Sequence, residues 1–107
     1  MPAYLFQVAY TPQAWAAQVK KPSNRLAAVA KMITASGGKV VASYYAFGKD
    51  DVVIIAEMPD NTAAASFAIS VAAAGAVSHL RTTPLMTPEE GLKAIKAASK
   101  SAYKAPT

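Results

Sequence analysis

Two strand-like runs joined by a short loop constrain this chain more than any other feature of its sequence. Residues 40–47 and 51–58 are rich in β-branched and aromatic residues, and Gly48-Lys49-Asp50 lies between them. A glycine-containing loop of about three residues between two such runs is typical of a β-hairpin. The stretch therefore predicts two adjacent antiparallel strands, around which the rest of the fold is built.

Capping residues divide much of the remaining chain into helices. A side-chain acceptor followed by proline or by an apolar run is typical of a helix N-terminus. Such starts occur at Thr11-Pro12, Asp60 and Thr87-Pro88. Pro22 interrupts the first helical region at Lys21, and Ser23 or Asn24 can cap its continuation. Helices are predicted near residues 12–35, 60–74 and 88–102, with Leu92 and Ile95 of the last helix facing inward.

Alternating apolar residues predict the remaining strands, so that strands lie near residues 3–10, 39–47, 51–58 and 76–85. The order β-α-β-β-α-β plus a terminal helix indicates the α+β class with a ferredoxin-like fold. We expect one domain over residues 1–107, with a four-stranded antiparallel sheet and two main helices on one face. The tail, residues 103–107, is expected to be frayed.

The sheet face turned away from the helices needs a partner. On the third strand the residues Val52, Ile54, Ala56 and Met58 are expected under the helices. The alternate residues, Val53, Ile55 and Glu57, then lie on the open face. That face is too apolar to be left in water. The sequence therefore predicts a homodimer.

Composition excludes several classes of function. The 107 residues contain no cysteine, which excludes disulfides and thiolate zinc sites. The chain starts without a secretory signal pattern and lacks an apolar run long enough for a membrane span, so we expect a cytoplasmic protein without a membrane partner.

The net charge is +5, but its one cluster, Lys93, Lys96, Lys100 and Lys104, is interpreted as a solvated helix face. We therefore expect no nucleic-acid partner. No metal is expected either, because Asp50 and Asp51 in a turn are expected to bond to the backbone.

Four residues are candidates for a ligand site on the open face. His79 is the only histidine, and Arg81, two residues on, falls on the same side of its strand. His79 is a candidate acid or base, or simply a polar residue on a half-exposed strand. Arg81 can bind a carboxylate or phosphate, or pair with Glu57 or with an acid of another subunit. Glu57 is a general base if it is buried, and a solvated residue if it is not. Of the adjacent tyrosines, Tyr45 rather than Tyr44 is predicted to face the cleft and pack on a ligand.

Several short motifs lie around the hairpin and along the chain: Thr11-Pro12, Gly37-Gly38 and residues 44–48, 51–53 and 81–84. In these motifs the chain resembles the GYD domain family, small bacterial proteins of the dimeric α/β-barrel type. The resemblance covers roughly residues 4–90. The Gly-x-Tyr-Asp motif of the family stands here as residues 48–51, with Asp50 in place of the tyrosine. The resemblance implies the ferredoxin-like fold and a homodimer.

Two functions agree with these features. The first is a homodimeric binding or regulatory module that holds a small anionic or planar ligand between its sheets. The alternative is an oxygenase-like enzyme acting in the same cleft, by analogy with the antibiotic-biosynthesis monooxygenases of this fold type. Glu57 or His79 would then be the base. No cofactor is expected for either function.

Overall fold

The computed structural model describes residues 1–106 and contains four strands and four helices. In chain order these are β1 (Ala3–Tyr10), α1 (Pro12–Lys20), α2 (Arg25–Ala35), β2 (Lys39–Tyr45), β3 (Val52–Glu57), α3 (Asn61–Ala73), β4 (Val77–Leu85) and α4 (Pro88–Ala98). The strands form one antiparallel sheet in the order β2-β3-β1-β4. The predicted α+β, ferredoxin-like arrangement is confirmed. The predicted frayed tail includes Thr107, which lies outside the described residues.

The predicted element boundaries hold to within a few residues, with one informative difference at the end of α4. Residues 21–24 separate α1 from α2, as the interruption by Pro22 predicts. The last helix ends at Ala98 rather than near residue 102, because Ser99 caps it and its hydroxyl donates to the carbonyl of Lys96 at 2.6 Å. Within residues 1–106, each helix falls short of the length and apolar character that a membrane span requires.

The predicted capping residues start the helices. Oxygen atoms of Thr11, Asn24 and Asp60 accept from the backbone N–H three residues on, at 3.1, 3.1 and 2.8 Å. Thr87 and Glu90 form a reciprocal capping box at the start of α4. The hydrogen bonds from Thr87 lower the pKa of the Glu90 carboxyl. The N-termini of all four helices are therefore encoded locally.

The core lies between one face of the sheet and helices α2 and α3. It contains Tyr4, Phe6, Val8, Val52, Ile54, Ala56 and Met58, with Ile33 from α2 and with Ala64 and Phe67 from α3. The rings of Phe6 and Phe67 pack edge to face with centroids 4.9 Å apart. The prediction that the even-numbered residues 52–58 lie under the helices is confirmed.

Helix α4 differs from the sequence-based expectation. Every residue in it is exposed except Gly91, which is half-buried. Leu92 is 51% exposed and Ile95 is 68% exposed. The prediction that these two side chains face inward is wrong, because the helix extends from the end of β4 rather than folding back onto the sheet. The 57 × 36 × 22 Å extents of the chain reflect an elongated shape.

Among the glycines, Gly38 has the closest neighbours, and we expect it to be sensitive to substitution. A Cβ atom there would lie 2.6 Å from the carbonyl oxygen of Glu57 and 2.8 Å from the sulfur of Met58. We expect Gly38→Ala to lower the free energy of unfolding by about 1–3 kcal/mol, because β3 must move away. Gly48→Ala is the matched control, since a Cβ atom at Gly48 meets no atom of the described residues within 4 Å. Urea unfolding measures both variants, and equal stability of Gly38→Ala and wild type would contradict this packing.

Candidate functional site on the open sheet face

The sheet register brings three of the predicted site residues onto one face. Gln7 of the central strand β1 lies opposite Arg81 of β4 on one side and Val53 of β3 on the other. Ala9 lies opposite His79, and Ala3 lies opposite Glu57. Directly opposite residues point to the same side of a sheet. His79, Arg81 and Glu57 therefore share the open face, as the sequence-based inference required.

Glu57 nevertheless lies apart from the other two. Its partner on β1, Ala3, is four residues from Gln7, the partner of Arg81, which is roughly 13 Å along the strand. Across β2, Glu57 lies opposite Lys39. The register therefore does not bring Glu57 to His79 and Arg81 as a single cluster.

Tyr45 lies on the helix side of the sheet, so the prediction that it faces the cleft is wrong. It pairs with Val52, a buried core residue, whereas Tyr44 pairs with Val53 on the open face. The Tyr45 hydroxyl accepts from the backbone N–H of Arg25 at 3.1 Å, at the start of α2. Tyr44 is therefore the outward-facing tyrosine, and it is 68% exposed.

A β-bulge explains this reversal. The pairing of β2 with β3 shifts between Val40 and Ala42. Strict alternation from Val40, which faces the helices, would place Tyr45 on the open face. The extra residue in the bulge exchanges the two faces for the remainder of the strand.

Arg81 is paired with an acid within its own chain. Its Nη2 atom lies 2.7 Å from Oδ2 of Asp50, whose side chain is only 11% exposed. The same oxygen accepts from Nε2 of Gln7 at 3.4 Å. Oδ1 of Asp50 is buried and has no hydrogen-bond partner in residues 1–106. The hairpin loop thus folds over the end of the sheet and holds Arg81 through the residue that replaces the motif tyrosine.

Asp51, the next residue, has a structural role. Its Oδ2 atom accepts from the backbone N–H of Tyr10 at 2.9 Å and from Nε1 of Trp15 at 3.2 Å. Its own N–H donates to the carbonyl of Val8 at 2.7 Å. The predicted bonding of the turn aspartates to backbone thus holds for Asp51, which ties the hairpin loop to β1 and α1.

The candidate site therefore consists of Arg81, Asp50 and Gln7, with His79 beside them and Tyr44 across the sheet. The Arg81 side chain is 43% exposed, so its remaining N–H groups can donate to a ligand. Asp50 neutralises much of its charge, so the site favours a ligand with a hydrogen-bonding end over one that depends on strong anion attraction. In the described residues, no three or more histidines and carboxylates lie close enough together to hold a metal ion.

Sequence reasoning did not place Asp50, Gln7 or Tyr44 in this site. Asp50 and Arg81 are 31 positions apart, and their contact depends on β4 lying beside β1. The one sequence feature that set Asp50 apart was the family motif, in which Asp50 stands in place of an aromatic residue.

Comparisons with known proteins agree with the fold. A family model described as GYD domain matches residues 4–95. Among solved structures, the crystal structure of MtbAldR aligns with a TM-score of 0.57 at 17% sequence identity, over 80% of this chain and 53% of that chain. The chain thus spans about half the length of that protein, and the likeness shows a shared fold. No match was found among the curated proteins.

Removal of Arg81 and removal of Asp50 should lower the free energy of unfolding by different amounts. Arg81→Ala leaves the nearly buried Asp50 carboxylate without its cation, whereas Asp50→Ala leaves a guanidinium that water can reach. We expect Arg81→Ala to be the more destabilising variant, with a coupling energy of about 1 kcal/mol in the double-mutant cycle. Lys49→Ala, in the same loop, is the control and should change stability by less than about 0.5 kcal/mol. Strictly additive effects in urea unfolding would show that the pair contributes nothing.

Proposed function

We propose that this chain, which belongs to the GYD domain family, is a homodimeric module that binds a small ligand between its sheets. One observation carries the proposal: helices cover only one face of the sheet. Leu5, Val53 and Ile55 lie on the other face, and each is half-buried within a single chain. A second copy is a partner with the same apolar surface, and an isologous contact of this kind is the commonest in homodimers.

The open sheet face supplies part of the area that such a pair needs. Four strands of about seven residues present roughly 450 Å², at ~4.8 Å between strands and ~3.3 Å per residue. Stable interfaces bury about 600–1,000 Å² on each partner. The sheet alone falls short of that range, and a second apolar surface would complete it.

Helix α4 offers the second surface. Leu92 and Ile95 are three residues apart and so lie on one side of the helix, both largely exposed. The radius of gyration, 17.1 Å, exceeds the ~13 Å expected for a compact chain of this length. A helix that extends from β4 with an apolar side uncovered is suited to packing on another copy. The proposed dimer covers α4 as well as the sheet.

The ligand site of the proposed dimer is centred on Arg81. Its free N–H groups, the His79 imidazole and the Tyr44 ring supply donors and an aromatic surface beside the apolar residues of the face. Most small-ligand sites combine an apolar lining with a few polar groups of this kind. Glu57 lies apart from Arg81, so the oxygenase alternative would depend on His79 alone as the base at the substrate, whereas the binding function needs no base.

Substitution of Ile55 tests the dimer. In Ile55→Asp each interface gains two carboxylates, and each costs about 2 kcal/mol or more to desolvate without a partner. We expect wild type to sediment as a dimer at micromolar concentration and the dissociation constant of Ile55→Asp to rise at least about 100-fold. Val19→Asp is the matched control, because Val19 is 77% exposed on α1, away from the face. A monomeric wild type, or a dimer that Ile55→Asp leaves intact, would contradict the proposal.

The role of Arg81 has a separate test. A library of small polar fragments is screened by ligand-observed NMR against wild type and Arg81→Ala. We expect the fragments bound in the cleft to lose affinity by roughly tenfold in the variant, as the loss of a charged donor implies. Lys49→Ala controls for the loss of one positive charge near the site. Equal affinity of wild type and Arg81→Ala for every bound fragment would remove Arg81 from the site.

A further inference from the structure

A cavity of about 220 Å³ lies on the opposite side of the sheet, between helices α2 and α3. Helix α2 packs nearest β2 and α3 nearest β4, so the two helices stand apart over the central strands. The apolar lining comes from the sheet and from both helices. Its main residues are Val8, Val52, Ile54, Val29, Phe67 and Val71.

The composition of α3 explains why this space is not filled. Six of the 13 residues of α3 are alanines, whose side chains are too short to reach α2. Phe67 and Val71 are the larger side chains that α3 turns toward the cavity. Protein interiors are normally close-packed, and an apolar space of this size loses contacts that an apolar guest would restore.

The mouth of the cavity is polar and positively charged. Tyr10, Arg25 and Ala76 line the cavity and also line an adjoining groove that contains Lys21. Among the described residues that line these two spaces, the charged ones are Arg25 and Lys21, and both are cations. The apolar interior is therefore bordered by Arg25, which it shares with a groove that also contains Lys21.

Tyr10 is held at this mouth by its neighbours. Its ring packs edge to face against Trp15 with centroids 5.2 Å apart. Burial, together with Tyr45 and Asp51, raises the pKa of its phenol, and nearby Arg25 opposes the change. The phenol therefore keeps its proton at neutral pH and remains a hydrogen-bond donor. The Asp51 carboxylate is already engaged by the N–H of Tyr10 and by Trp15.

We propose that this cavity is a second ligand site, which binds a small amphipathic carboxylate with its apolar part between α2 and α3 and its carboxylate at Arg25. An engineered cavity of roughly 150 Å³ holds benzene. A cavity of about 220 Å³ therefore accommodates one ring with a short acidic substituent. Arg25 binds the carboxylate, Lys21 adds positive charge, and the Tyr10 phenol donates a hydrogen bond.

Benzoate is the probe, and the neutral benzyl alcohol is its control. Both are titrated into isotope-labelled protein and followed by two-dimensional NMR. We expect benzoate to bind wild type at millimolar concentration or tighter, with shifts at residues of α2 and α3. Benzyl alcohol should bind roughly tenfold more weakly, because it cannot form the charged contact. Equal binding of the two probes, or benzoate shifts confined to the open face, would overturn the proposal.

Two variants test the two halves of the site. Arg25→Gln should weaken benzoate binding by roughly tenfold and leave benzyl alcohol binding unchanged. Val71→Phe should abolish binding of both by filling the cavity, whereas Ile69→Phe, on the exposed side of the same helix, should bind as wild type does. Circular dichroism verifies that the variants are folded. If Val71→Phe perturbs the fold, Arg25→Gln still tests the proposal. Unchanged benzoate affinity in Arg25→Gln would contradict it.

Benzoate binding in this cavity should be independent of the proposed dimer. The cavity lies within one chain, so Ile55→Asp should bind benzoate with wild-type affinity whether or not it dimerises. Arg81→Ala should also bind benzoate as wild type does, since Arg81 is on the other face. Loss of benzoate binding in Arg81→Ala would place the anion on the open face and overturn this assignment.

Discussion

The structure depends on one asymmetry: the helices that pack on the four-stranded sheet cover one of its two faces. Side chains alternate across a strand, so every strand that supplies Phe6 or Ile54 to the core must supply Leu5 or Ile55 to the opposite side. The register of β1 with both neighbours aligns these outward residues into a continuous surface. The uncovered apolar surface, on which the proposed dimer rests, and the position of Arg81 both follow from this geometry.

Arg81 and Arg25, on opposite sides of the sheet, have different charged neighbours. Arg81 on the open face is paired with Asp50, the one ion pair in residues 1–106. Arg25 on the helix side stands with Lys21 at the mouth of an apolar cavity. An ion pair offers hydrogen-bond donors with little net charge, whereas two cations that have no carboxylate partner in residues 1–106 attract an anion. The two proposed sites therefore select ligands by different chemistry, the first by hydrogen bonding and the second by charge and apolar volume.

Local patterns in the sequence were sufficient for much of the fold. The capping side chains of Thr11, Asp60 and Thr87 act within three residues, and the alternation in β3 separates Ile54 from Ile55 without reference to other strands. Features that depend on distant contacts were not accessible in this way. The bulge near Val40 reverses the faces of Tyr44 and Tyr45, and its presence depends on pairing with β3.

The residues of the candidate site likewise divide into those that local spacing predicts and those that depend on distant contacts. The shared face of His79 and Arg81 follows from their spacing of two residues, but the partner of Arg81 depends on strand order. Asp50 reaches it from the hairpin loop only because β4 lies beside β1. The outward position of Leu92 and Ile95 was also missed, because an amphipathic pattern does not tell whether its apolar side packs on its own chain or on another.

Isotope-filtered NMR on a mixture of labelled and unlabelled protein shows whether a second copy covers the open face, as we propose. In such a sample only contacts between different copies give cross-peaks. We expect intermolecular cross-peaks from the methyl groups of Val53 and Ile55 to open-face residues of the other copy. A dimer whose intermolecular cross-peaks come from helices α1 to α3, with Val53 and Ile55 in contact with water, would contradict the proposal.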